Sequence, residues 1–130
     1  MTLTEKVFTL KVIKPFDSLS DQELIVTANM IQVKHYDEGE VIYSAHSSLY
    51  NLGVIASGEV KTSSGTVFEN YFGLESIVHD VIMQEDIIAA SNVTLLLISQ
   101  EHLLTLLYES PHLMMGFLKS QKEEENETKI

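Results

Sequence analysis

Ile31-Gln32-Val33-Lys34-His35-Tyr36-Asp37-Glu38-Gly39-Glu40-Val41-Ile42-Tyr43 is the stretch in which the chain changes its period. Ile31, Val33 and His35 alternate with Gln32, Lys34 and Tyr36, the two-residue repeat of a half-buried strand. Asp37-Glu38-Gly39-Glu40 reads as a turn and Val41-Ile42-Tyr43 as a second, shorter strand. Residues 49–55 give another strand, closed by Ser57-Gly58. Val60-Lys61-Thr62 and Thr66-Val67-Phe68 flank Ser63-Ser64-Gly65, which reads as a hairpin. Residues 86–89 and 93–98 supply two more strands. Short strands separated by frequent turn signals predict an all-β sandwich or barrel for the middle of the chain.

Outward from that centre the period becomes helical. Residues 4–13 predict a short helix ended by Pro15, with a turn at Asp17-Ser18. Ser20-Asp21-Gln22-Glu23 is a capping box, a serine N-cap with a glutamate three residues on. The helix it starts turns Leu24, Ile25 and Ala28 toward a core and fades at Met30. On the other side, Ser99 is read as an N-cap ahead of Leu103, Leu104, Leu106 and Leu107. Ser110-Pro111 restarts a helix with proline at its first position. Leu113, Met114, Phe117 and Leu118 form its apolar stripe. Met114 and Met115 stand side by side and cannot both face one core. Met114, Met115, Phe117 and Leu118 are therefore the expected interface for a protein partner or a second copy. The acidic run Glu123-Glu124-Glu125-Asn126-Glu127 is expected to be a frayed tail, so residues 1–122 form the domain and 123–130 the tail.

The 130 residues suit one domain with one core, and 45% apolar residues is ordinary for a globular chain. The formal net charge of -11 argues against nucleic acid, because phosphate neutralisation needs clustered lysine and arginine. All eight basic residues are lysines, so the planar fork that best grips a phosphate is absent. No cysteine is present, which removes disulfides, thiolate metal sites and cysteine nucleophiles. No apolar run approaches the roughly 18 residues that span a bilayer, and the N-terminus lacks signal-peptide order, so a cytoplasmic setting without membrane insertion is expected.

Helix, many short strands, helix is the order of the cyclic nucleotide-binding domain, and local strings carry the resemblance. Residues 16–24, Phe-Asp-Ser-Leu-Ser-Asp-Gln-Glu-Leu, are similar to that family's opening "F-x-x-L-S-x-x-E-L". Residues 36–43 resemble its "Y-x-x-G-E-x-I-F", and Leu49-Tyr50-Asn51-Leu52 with Ser57-Gly58-Glu59-Val60 resembles "L-Y-x-I … S-G-x-V". Leu97-Ile98-Ser99 and Leu103-Leu104 resemble the strand and helix that close the roll. The resemblance implies a mainly β, jelly-roll-like β-roll (a double-stranded β-helix) with α-helices at its N- and C-terminal ends.

In this family a cassette "F-G-E-L … R-A-A" holds the cyclic phosphate through amides at a short helix start and one arginine, while its glutamate takes the ribose hydroxyl. Phe72-Gly73 matches the opening. The glutamate position falls on Leu74, with Glu75 and Ser76 following, and the arginine position falls on Met83, followed by Gln84-Glu85. A methionine cannot balance a phosphate, and Glu85 and Asp86 would repel one. Losing a charge-assisted hydrogen bond costs about 1.5–3 kcal/mol. Together with that repulsion, affinity for a cyclic nucleotide is expected to fall by roughly two orders of magnitude or more. Lys61 could substitute only if its hairpin were displaced. The vestigial cassette is thus Gly73, Leu74, Glu75, Ser76, Met83 and Gln84, and Leu74, Ile82 and Met83 are expected to fill the space. Residues 44–48 and 65–73 are also shorter than the family's loops.

Nothing else in the chain carries chemistry. The histidines at 35, 46, 79, 102 and 112 are scattered, His79-Asp80 is an isolated pair, and no metal or other cofactor is expected. No G-x-S-x-G elbow, G-x-G-x-x-G or Walker string occurs, so no catalytic residue is assigned. The expectation is a non-catalytic regulatory or interaction module that does not bind cyclic AMP or GMP tightly. The alternatives are a sensor of another effector, as in bacterial transcription regulators, or a transporter-attached domain, which Glu5 to Lys11 resembles at fold level.

Overall fold

Val41, Val60 and Ile87 begin three strands too short to stand alone, and they persist by pairing into a second sheet beside a longer first one. The structure, a computed structural model, describes residues 1–128, with side chains for residues 1–119. Of the expected acidic tail, residues 123–128 continue the last helix instead of leaving it, and residues 129–130 lie outside the described residues. Two units divide the chain: a helical one, Met1–Met30 with Leu104–Ile130, and a β-roll, Ile31–Leu103.

The roll holds β1 (Gln32–Tyr36), β2 (Val41–Tyr43), β3 (Asn51–Ser57), β4 (Val60–Thr62), β5 (Val67–Phe68), β6 (Tyr71–Phe72), a short helix α3 (Leu74–His79), β7 (Ile87–Ala89) and β8 (Val93–Ser99). They form two four-stranded sheets, ordered β1-β8-β3-β6 and β2-β7-β4-β5, with every pair antiparallel. This is the expected mainly β jelly-roll-like architecture with helices at both ends of the chain. Ile42, Ile55, Val60, Ile87, Leu95 and Leu97 belong to its core cluster. Leu52, Val54, Leu96 and Ile98 are buried as well, so β3 and β8 are buried on both faces, as unbroken apolar runs predict.

The alternation in β1 is only half realised. Ile31 is buried and Val33 half-buried, but His35 is exposed, its Nδ1 2.9 Å from Thr94 Oγ1 on β8. Tyr36, read as outward, packs against the core instead, and Lys34 Nζ lies 5.1 Å from the centre of its ring. An edge strand has one neighbour, so its pleat is less strictly held.

The helical unit contains α1 (Leu3–Lys11), a 3-10 turn (Phe16–Ser18), α2 (Asp21–Asn29), the part of α4 (Gln100–Glu109) from Leu104 onward, and α5 (Pro111–Thr128). Ser20 caps α2 with the expected reciprocal bonds to Glu23, and Thr2 with Glu5 forms a second capping box on α1 that sequence reading missed. Ser99 Oγ accepts from the His102 amide, as its N-cap reading requires. Leu24 and Ala28 are buried, but Ile25 is 46% exposed, and Leu103 and Leu107 are buried while Leu104 is exposed. In each helix an i, i+4 pair faces inward, joined by Thr27 in α2, and the residue next to Leu24 or Leu103 is left outside.

Phe117 corrects the expected interface. It is fully buried, with its ring edge-on to Phe16 at 5.6 Å, so it belongs to the core of the helical unit. Leu113 is buried beside it in the stripe, Met114 is half-buried, and Met115 and Leu118 are exposed.

Glu23 does more than cap. Its Oε1 accepts from the Ser20 amide at 2.9 Å, its other oxygen accepts from the hydroxyl of buried Ser110, and His112 Nε2 lies 3.5 Å from Oε1. The Ser110 hydroxyl, then the Ser20 amide, hold the carboxyl down at about 2, against an ordinary 4.5. The stability Glu23 contributes is thus complete above pH 4.5 and is lost as pH falls through that range toward about 2. Glu23→Gln is expected to flatten the acid limb of the urea midpoint over that window. Equal slopes for variant and parent would contradict it.

Candidate functional site

Phe72 and Gly53 are register partners between β6 and β3. A Cβ on Gly53 would sit 2.3 Å from the Phe72 ring, so only glycine lets the ring approach β3 this closely. Tyr43 and Phe68 meet the same ring, with centroids 6.1 and 5.7 Å away. Gly73 then turns the chain with φ +98, and a Cβ there would meet Leu49 Cδ2 at 2.9 Å and the Asn51 carbonyl oxygen at 3.2 Å. A side chain at Gly73 would therefore press on Leu49 and on the β3 backbone.

From that turn, α3 distributes the cassette residues. Leu74 is buried, Glu75 is exposed, and Ser76 is buried with no hydrogen-bond partner for its hydroxyl. Leu74, which the resemblance sets at the glutamate position, is a packing residue, and Glu75 one step on faces water. Asp80, at φ 54, ends the helix.

Residues 81–86 return to β7. Met83 is half-buried and packs against the core of the roll, as expected for a filler, but Ile82 is 49% exposed and fills nothing. Two exposed residues, Val81 and Ile82, stand out on this loop because its inward direction is taken by Met83. Gln84 is exposed, and its Nε2 donates to the Ile82 carbonyl at 3.2 Å.

Sequence reading saw Glu85 and Asp86 only as repulsive charges. Glu85 Oε1 accepts from the Ser64 amide at 2.8 Å and the Ser63 hydroxyl at 3.3 Å, which hold its carboxyl below the usual range, Ser64 most of all. Asp86 Oδ1 accepts from the Ala45 amide at 2.6 Å. The one available signal was a Ser-Ser-Gly turn, whose open amides need an acceptor.

Neither lysine of the roll serves the cassette. Lys61 alternates with buried Val60 and Thr62, which puts it on the other face of β4, and Lys34 is engaged by Tyr36. Residues 31–103 carry ten carboxylates and these two lysines. Among the described residues no group of three or more acidic or histidine side chains could hold a metal, and no helix is long and apolar enough to cross a membrane.

Two antiparallel sheets, a glycine-led short helix between β6 and β7, and helices at both ends define the fold of the cyclic nucleotide-binding domains. Solved structures agree. PKAR CBD2 bound to Sp-2Cl-cAMPS superposes with TM-score 0.75 at 16% identity, covering 100% of this chain and 96% of that one. The regulatory subunit of a cAMP-independent protein kinase A from Trypanosoma brucei gives 0.79 at 14% identity, over 92% of this chain and 47% of that one. Its counterpart from Trypanosoma cruzi, bound to guanosine, gives 0.72 at 17% identity, over 81% and 41%. The chain thus spans less than half the length of the two Trypanosoma chains. No family model and no curated protein matches by sequence.

Gly53→Ala tests the ring contact on which this end of the roll is built. Overpacking of this kind costs about 1–3 kcal/mol. The variant's urea midpoint is expected to drop accordingly, and an unchanged midpoint would show that Phe72 moves aside freely.

Proposed function

We propose that the chain is a non-catalytic regulatory or protein-interaction module that uses the cyclic nucleotide-binding fold without holding cyclic AMP or GMP tightly. One observation carries this reading: the residue at the arginine position, Met83, is an apolar side chain packed on the core of the roll. A cyclic phosphate placed over α3 would find no cation among the described cassette residues and would face a roll dominated by carboxylates. The partner is a protein, either another chain or a second copy, and the exposed Met115 and Leu118 of α5 are the residues offered for it. A cytoplasmic setting accords with the absence of cysteine.

A sensor of an uncharged effector is the second reading. It is favoured by the half-buried rings of Tyr43 and Phe68 around Phe72, which offer faces for stacking. The Trypanosoma cruzi relative of this fold is described with guanosine, a nucleoside without phosphate.

Isothermal calorimetry separates the readings. Titration with cyclic AMP and cyclic GMP is expected to give no saturable heat in the micromolar range, and a micromolar dissociation constant for either overturns the first reading. Saturable binding of guanosine without binding of either cyclic nucleotide would establish the second.

A further inference from the structure

Three segments meet at the end of the cassette: residues 44–47 after β2, residues 62–66 in the β4–β5 turn, and residues 82–86, which carry Met83 and Gln84, before β7. We propose that Glu85 and Asp86 form a built-in clasp that holds these three segments in one arrangement with no ligand bound. The inference rests on the reading that the domain works without a cyclic nucleotide.

The hydrogen bonds run from one segment to the next. Glu85 takes the Ser64 amide and the Ser63 hydroxyl, tying the third segment to the second. The Ser63 amide donates to the Asp86 carbonyl at 3.0 Å along the same seam. Asp86 takes the Ala45 amide, and the His46 amide donates to the Met83 carbonyl at 2.8 Å, tying the third segment to the first. Within the hairpin turn, Thr62 Oγ1 accepts from the Thr66 amide at 3.1 Å. Each carboxylate therefore serves a different neighbour, which is how adjacent like charges are tolerated here.

Main-chain amides in short turns need an acceptor, and ionised carboxylates are the strongest that a protein supplies. In a ligand-gated loop the acceptor can come from outside, and the loop then orders only when the ligand arrives. Here the acceptors are covalently part of the third segment. The Ser64 and Ala45 amides are already engaged, so an arriving anion would have to displace a tethered carboxylate before gaining either donor. The same two residues order the rim and occupy its donors. Such a rim has one state, and a surface built on it is presented continuously.

Amide hydrogen exchange on the ligand-free protein tests the clasp. Glu85→Ala is expected to speed exchange at Ser64, and Asp86→Ala at Ala45, by about tenfold or more, with the β3 and β8 amides unchanged. Glu85→Gln and Asp86→Asn keep shape and a weaker, neutral acceptor, and smaller rises at the same two amides are expected. Should the alanine variants fail to fold, the amide variants decide. Unchanged rates at Ser64 and Ala45, or a uniform rise that includes β3 and β8, would overturn the proposal. Because no nucleotide is present, a failure here is distinct from nucleotide binding by calorimetry, which would sink the preceding reading alone.

Discussion

The contact between the Phe72 ring and the bare backbone of Gly53 governs this end of the roll. β6 is only two residues long, too short to be held by ladder hydrogen bonds alone. What fixes it is the ring, pressed on β3 and bounded by Tyr43 and Phe68 from the opposite sheet. With Phe72 fixed, the left-handed turn at Gly73 and the first turn of α3 have a defined starting direction. Leu74 then falls inward and Glu75 outward, by helix geometry alone. The cassette thus owes its shape to aromatic packing on a glycine.

Charge takes a different course from packing. A phosphate-binding cassette concentrates donors and one guanidinium at a point where an external anion will sit. In this chain Met83, which the resemblance sets at the guanidinium position, packs on the core of the roll, and Glu85 and Asp86 beside it accept from main-chain amides. Glu85 and Asp86 face main-chain amides rather than a bound ligand. The donors of the two neighbouring turns at Ala45, Ser63 and Ser64 find their acceptors in these two side chains.

Local chemistry was legible in the sequence wherever partners lie close along the chain. The Ser20–Glu23 capping box, the Ser99 cap, the hairpin around residues 63–65 and the apolar runs of β3 and β8 all declare themselves within a few residues. The order of these elements, together with the resemblance of five strings, carried the fold. Legibility ended where the deciding partner is remote. Glu23 bonds Ser110, 87 residues away, and Phe117 meets Phe16 across a similar distance. Ile25, Ile82 and Phe117 each lie elsewhere than expected for one reason. An apolar residue in an element says that some face is buried, but tertiary packing chooses which one.

In the cassette, residue type was informative about what is absent and silent about what replaces it. The lack of arginine is a property of composition, readable at once. That Met83 packs inward, that Ile82 does not, and that two carboxylates close the rim are properties of geometry. They follow from a loop of seven residues, 80–86, that must join α3 to β7 while satisfying amides on two other segments. Such a loop has few side chains to spend inward, and the flexible, unbranched methionine suits an irregular gap better than a β-branched isoleucine. The acidic pair then goes where the unmet donors are. The acidic side chains of this segment are thus committed to the neighbouring turns, and its inward position is taken by Met83.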